Sequence, residues 1–363
     1  MKIMMIRYKR TRGVMEGGEM AAQQHYEALK NLYGAENVDT YYIHDEGNKH
    51  TIFDYLVGLI LMPFGYYFGL TKSKQKEIAS KSHEYDVVLI DRSVFGRIAK
   101  ELKKTGYKGR IVTFFHNVEP EYFATKLKGK PWLPIVKRCV EKNDRYAVSY
   151  SDQTVTLNRR DESEIDKLYK LKNNAIIPIT LTDNMGDSEP DDTVMTSSSL
   201  NLLFIGAYFK ANNDGIKWWI ENVMPNVNVH LTIAGKNMDK LKPELSLYEN
   251  VEIKSNVPDL KPLIMDADAV ALPIYSGSGM KVKTCDSLMY GKNILGTDEA
   301  FCGYEVDYKG VGALCNTKEE WIDAIKEMGM HSRSKFNKYS RAIFLSKYST
   351  KSVERTWKNV VEG

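Results

Sequence analysis

Twice along this chain, short runs of Val, Ile and Leu alternate with polar stretches of helical spacing, and one acidic, Ser-rich interval separates the two series. In the first series the apolar runs fall at 2–8, 86–91, 110–115, 153–157 and 175–179. Runs this short and this continuously apolar suit strands covered on both faces, and the helix-length stretches between them supply the crossovers that parallel strands need. After the first run, Ala22, Tyr26, Leu29 and Tyr33 recur at i, i+4, i+7 and i+11, one face of a helix. In the second series the runs fall at 200–206, 229–235, 251–254, 267–273 and 293–297, with helices over 214–222, 259–266 and 280–290. The interval 182–199 has no periodicity and reads as a linker. The pattern predicts an α/β chain of two Rossmann-like domains facing a cleft: 1–181, a linker over 182–199, then 200–345, with a C-terminal helix over 346–363 placed to pack back on the first domain. A length of 363 residues suits two such domains better than one core. Open parallel sheets bind ligands beyond the carboxyl ends of their strands.

The near balance of 51 basic and 47 acidic residues, net +4, is no nucleic-acid footprint, and none is expected as a partner. Cys139, Cys285, Cys302 and Cys315 form no CxxC pair and join no His cluster at metal-ligand spacing, so they read as reduced, buried thiols. The first residues run directly into a strand pattern, which places the protein in the cytoplasm as an expectation.

Residues 55–70 are uncharged and apolar, broken by Pro63 and Gly65. A spanning helix needs about 20 apolar residues, so the stretch is too short to cross a bilayer. It reads either as a buried helix with its loop or as an apolar, aromatic surface that meets a membrane or a lipid tail. In the second case Lys72, Lys74 and Lys76 follow it, and the protein would be peripheral at the inner membrane face.

Residues 267–291 carry the densest chemistry: ADAVALPIYSGSGMKVKTCDSLMYG. A buried strand ends at Pro273, a small-residue loop Ser276-Gly277-Ser278-Gly279 follows, and a helix opens near Met280. Glycines bring the backbone close to a ligand, and free N–H groups at a loop and helix start attract anions. Lys281 and Lys283 add positive charge, and Asp286 lies farther along the same helix, where a carboxylate can accept from two ribose hydroxyls. The alternative is a plain strand–turn–helix connection with surface lysines.

This segment resembles the donor site of group 1 glycosyltransferases, the retaining, nucleotide-sugar-dependent GT-B class. The correspondence runs through Gly277-Ser278-Gly279, Lys283, Asp286 and Gly291-Lys292. It extends upstream through Phe204-Ile205-Gly206, Asn212-Asn213, the run ending at Gly235, and Val257-Pro258-Asp259. In the first half, Gly17-Gly18 and the stretch from Phe115 through His116 and Asn117 to Glu119 resemble the family's acceptor-side loops. Two departures stand out. Ser278 occupies the first of two positions where many members carry glutamates, and residues 206–210 offer no clear Arg-and-Lys pair after the first strand of the second domain.

The resemblance implies transfer of a sugar from a nucleotide-sugar donor to a glycan or lipid-linked acceptor, with retention, in cell-surface polysaccharide or glycoconjugate synthesis. It implies Lys283 and His116 as catalytic residues, and Gly17, Gly18, Gly206, Ser276, Gly277, Ser278, Gly279, Met280, Lys281 and Asp286 as donor-binding ones. No metal and no cofactor is implied, the nucleotide-sugar being a substrate. Two other readings share the double-Rossmann pattern: a nucleotide-sugar epimerase and a two-lobed small-molecule binding protein.

Overall fold

The computed structural model describes residues 1–10, 17–45, 52–186, 199–277, 279–330 and 334–363. It divides into two compact units, Met1–Pro178 with Val353–Gly363, and Ile179–Ser352. Most of the expected linker, together with Ser278, lies outside the described residues.

The first unit is built on strands β1 (Ile3–Arg10), β2 (Val38–Asp45), β3 (Val87–Ile90), β4 (Arg110–Phe115), β5 (Gln153–Thr156) and β6 (Asn174–Ile176). All pair in parallel in the order β2-β1-β3-β4-β5-β6. Every residue of β3 is buried, as a central strand with both faces covered requires. The order reverses between β1 and β3, so the carboxyl ends of those two strands splay apart and leave a crevice, the usual ligand position in such sheets.

The second unit repeats the plan with β7 (Leu200–Ile205), β8 (Val229–Gly235), β9 (Val251–Ser255), β10 (Ala269–Leu272), β11 (Asn293–Gly296) and β12 (Gly312–Leu314). Their order is β12-β11-β10-β7-β8-β9, again all parallel, and the reversal falls between β7 and β10.

Two strands are absent from the sequence reading. β2 lies at the sheet edge and interleaves Asp39, Thr40 and His44 with only Val38 and Ile43 buried, so it offers neither an apolar run nor a regular alternation. β12 is a three-residue edge strand. The helix expected over 214–222 starts earlier, at Lys210. The helix expected from 280 spans Val282–Met289, which leaves Met280 and Lys281 in the loop before it.

The first unit ends at Pro178 rather than at 181. Leu181 N–H donates to Tyr348 O at 3.0 Å and Leu181 O accepts from Thr350 N at 3.0 Å, so this strand-like turn belongs to the second unit. Asp183 is fixed there too, by a two-pronged pair with Arg341 at 2.9 and 2.6 Å.

The apolar stretch 55–70 is chiefly core. Met62, Tyr66 and Leu70 are buried in one cluster with β1 and β3 side chains, and Leu59, Leu61, Tyr67 and Phe68 lean on it. Tyr67 meets Tyr8, Phe95 and Phe123 at ring distances of 6.3, 5.7 and 5.9 Å. Ile60 and Phe64 are the exceptions, 68% and 59% exposed. No helix among the described residues is long and apolar enough to cross a membrane.

Candidate functional site

The second unit's site lies where its strand order reverses. β7 delivers Gly206 to its carboxyl end, and β10 delivers buried Pro273 and the loop 274–281 beside it. Gly206 is held close: a Cβ there would stand 2.9 Å from the Asn212 amide nitrogen and 2.9 Å from the Phe204 ring. Gly279 has φ +65°, a backbone conformation that costs a side-chain-bearing residue about 1 kcal/mol. Ser276 and Gly277 are exposed, while Gly279 and Met280 are buried. Among the described residues nothing accepts from the N–H groups of Gly277 and Met280.

The two lysines do different things. Lys281 turns back on its own loop, donating to Gly279 O at 2.7 Å and to Glu299 Oε1 at 2.6 Å. It braces the loop, and its charge is already matched. Lys283 sits in the first turn of the helix, half-buried, with Nζ 4.8 Å over the Phe204 ring and donating to Asn212 Oδ1 at 2.7 Å. Asn212 is oriented by its own bond to Ala207 O at 2.8 Å. No carboxylate pairs with Lys283 among the described residues. Burial disfavours its ammonium and the neighbouring Lys281 charge adds to this, so its pKa falls to about 7.

Asp286 follows on the same face of the helix, three residues on. Desolvation raises its carboxyl to about 7, and no side chain among the described residues bonds to it. A cation and a carboxyl, each desolvated and neither neutralised by the other, thus line one face of the helix that follows the glycine loop.

This unit also carries an Asp-x-Asp triplet, Asp266-Ala267-Asp268. It precedes β10, at the opposite end of the strand from the loop. Asp268 accepts from Asn201 N at 2.7 Å and pairs with Lys335 at 3.3 Å, so it ties β10 to β7.

In the first unit, the carboxyl ends of β3 and β4 bring Asp91 and His116 together: His116 Nε2 and Asp91 Oδ1 are 3.2 Å apart. The helix Gly17–Tyr33, opened by Gly17 and Gly18, carries His25 to the same carboxylate, with Nδ1 at 3.9 Å. The His25 ring lies 4.2 Å from Phe114 and 5.5 Å from Trp357, between centroids. Burial lowers the His25 pKa, so this imidazole is neutral at pH 7. Burial alone would raise Asp91, but the charge and hydrogen bond of His116, with His25 nearby, hold it below its ordinary value.

His25, Asp91 and His116 are also the one group among the described residues whose ligand-type atoms all lie within 4.8 Å of one another. Two imidazoles and a carboxylate are a donor set that a zinc ion accepts. Here, however, Asp91 is already bonded to His116. Glu119, next along, is not a surface cap: it is fully buried and faces Arg92 at 3.6 Å.

Of the residues singled out from sequence, Gly206, Ser276, Gly277, Gly279, Met280, Lys281, Lys283 and Asp286 converge at one end of the second sheet. His116 stands at the corresponding end of the first sheet, with the helix that Gly17 and Gly18 begin. Asn212's hold on Lys283, the Glu299 brace, and the convergence of His25 and Asp91 on His116 were not read from the sequence. Asp91 did leave a trace there, as an ionisable residue directly after an all-apolar strand.

Two Rossmann-like units of parallel sheet make this a GT-B fold, and solved structures agree over the whole chain. Anabaena Alr3699/HepE in complex with UDP covers 100% of both chains at 12% identity, TM-score 0.70. The lipopolysaccharide outer core galactosyltransferase WaaB, in apo form, covers 100% of this chain and 99% of its own at 11% identity, TM-score 0.68. The E. coli trehalose-6-phosphate enzyme bound with UDP-2-fluoro glucose gives 11% identity over 100% and 99%, TM-score 0.67. No protein with a curated description matches the chain. Residues 199–329 match the family described as glycosyl transferases group 1. That match falls within the second unit and places its strands and donor loop with the group 1 glycosyltransferases.

Proposed function

We propose that the second unit holds a nucleoside-diphosphate sugar and that the enzyme passes the sugar, with retention at the anomeric carbon, to a glycan or lipid-linked acceptor at the first unit. The product would serve cell-surface polysaccharide or glycoconjugate synthesis. The observation that carries this reading is Lys283, a desolvated cation with no carboxylate partner among the described residues, held by Asn212 in the first turn of the helix that follows the glycine loop.

Breaking a sugar–phosphate bond puts negative charge on the departing diphosphate. Donors fixed in advance where that charge grows are the most effective help a protein can give. Lys283 and the loop N–H groups meet the diphosphate. Lys281 holds the loop in shape through Glu299. Asp286, ionised once ribose hydroxyls donate to it, fixes the nucleoside. The family resemblance assigns His116, which Asp91 orients, to the transferred sugar.

UDP appears in the names of two of the structures above, so the first probe is a thermal-shift panel of nucleoside diphosphates and their sugars. A panel in which no nucleotide raises the melting temperature would overturn the donor assignment. The Lys283→Ala protein should lose both the shift and the transfer.

A further inference from the structure

The first unit carries a hollow of about 590 Å³ whose lining includes Phe64, Tyr66, Lys72, Lys76, Arg97 and Lys104, none of which belongs to either site above. Lys72, Lys76 and Lys104 are exposed, and none pairs with a carboxylate among the described residues. Arg97 is fixed at the wall. Its guanidinium lies 4.1 Å over the Tyr66 ring and donates to Phe64 O at 2.6 Å and Tyr66 OH at 3.0 Å. The single acid of the lining, Glu101, accepts from Gln75 at 2.9 Å. Four cations therefore face one carboxylate.

The rim is apolar. Ile60 and Phe64 project outward at the end of the helix Ile52–Leu61 and the turn after it, although Met62 between them is fully buried. Their outward aim is built in. Arg97 holds the Phe64 carbonyl, and Lys142 Nζ holds the Pro63 carbonyl at 3.3 Å. A large aliphatic and an aromatic side chain kept in water lose roughly 1.5–3 kcal/mol each relative to burial. An acidic protein partner would account for the cations but leaves the Ile60–Phe64 rim without a use. A bilayer surface accounts for both, because anionic headgroups attract the lysines and aromatic and aliphatic side chains settle at the interfacial depth beside them.

We propose that this face docks on an anionic bilayer, with headgroup phosphates on Lys72, Lys76 and Lys104 and with Ile60 and Phe64 entering the interface. The proposal adds a location to the reading of a lipid-linked acceptor and rests on it only for its use. Nucleotide binding by the second unit would survive its failure, and docking would survive failure of the donor assignment.

Co-sedimentation with vesicles tests it. The full chain should pellet with phosphatidylcholine–phosphatidylglycerol vesicles at low ionic strength, leave them at high salt, and stay in solution with phosphatidylcholine alone. Replacing Lys72, Lys76 and Lys104 together by Ala should lower partitioning on the order of a hundredfold, since each cation near an anionic surface is worth about a fivefold factor. The same three changed to Arg should bind as the wild type. Ile60→Ser with Phe64→Ser should lower partitioning about a hundredfold. All variants should keep the wild-type melting temperature, because the altered side chains are exposed. The proposal falls if the wild type stays in solution with the anionic vesicles at low salt, if it pellets equally with the neutral ones, or if the folded triple Ala variant partitions unchanged.

Discussion

The two strand-end sites are built from similar parts and are electrically opposite. In the first unit, ionisable groups are answered on the spot: Asp91 by His116, Arg92 by Glu119. In the second, Lys283 and Asp286 share one helix face with no counter-charge, and burial shifts both toward neutrality. A self-neutralised cluster holds a shape and suits neutral, hydroxyl-rich groups. A desolvated, unpaired cation waits for an anion to complete it. On this reading the second unit sacrifices local stability for ligand charge, while the first spends its charges on rigidity.

Removing the waiting cation should have the largest effect. Lys283→Ala is expected to slow transfer about a hundredfold with unchanged circular dichroism, a loss on the order of 3 kcal/mol of barrier. A companion substitution makes the contrast sharper. Lys283→Met should raise the melting temperature of the nucleotide-free protein while abolishing transfer. If it lowers the melting temperature, the lysine is satisfied as it stands and the contrast between the sites fails.

Next in size is the pH dependence of nucleotide affinity. A diphosphate favours the ammonium form, so with a free-enzyme pKa of about 7, Lys283 is fully charged below that value and affinity falls as pH rises above it. The fall should reach at most about tenfold per pH unit. Asp286 acts in the other direction, since ribose hydroxyls prefer the carboxylate, and it imposes a fall as pH drops below about 7. Calorimetric titration of UDP across pH 5.5–9 should trace a maximum near neutrality. Lys283→Ala should erase the alkaline limb, and Asp286→Asn the acid one. A flat profile in the wild type would show that neither group meets the nucleotide.

A smaller effect, about tenfold, is expected for Asp286→Asn on UDP and UDP-sugar affinity alike, as for the loss of a charge-assisted hydrogen bond. Normal UDP binding with no turnover would move this residue from holding the nucleoside to the chemistry. For the first unit the matching test is Asp91→Ala. It leaves the buried His116 imidazole without its partner and should cost about 2 kcal/mol in denaturant unfolding, with UDP affinity untouched. If that variant loses UDP affinity instead, the two sites are not electrically separate.

What the sequence revealed follows the range of the interaction concerned. The donor loop was legible because its meaning is local: a strand end, glycines and two lysines within a few residues impose a turn and a helix start whatever surrounds them. The parallel strands were legible where both faces are buried, as in β3 and β10, and not at β2, whose alternation is diluted by Asp39 and His44. The meeting of His25, Asp91 and His116 comes from three separate segments and has no local signal. The same holds for Lys281, which looked like a second phosphate ligand until Glu299, eighteen positions on, proved to hold it. Residues 55–70 show another limit. Apolarity says that side chains leave water and not where they go. Only packing separates Tyr66 and Leu70, which go inward, from Ile60 and Phe64, which do not.

The return of Val353–Gly363 to the first unit sets an order of assembly. Trp357, Val360 and Val361 are buried there, Trp357 against His25, and Arg110 on β4 bonds to Val360 O at 2.7 Å. During synthesis, residues 1–178 emerge first yet lack the side chains that close their own core, whereas the second unit is complete once Ser352 is out. The half that is made first therefore finishes last. A chain interrupted after 352 would carry a finished second unit on a first unit with a Trp-sized hole beside its histidines.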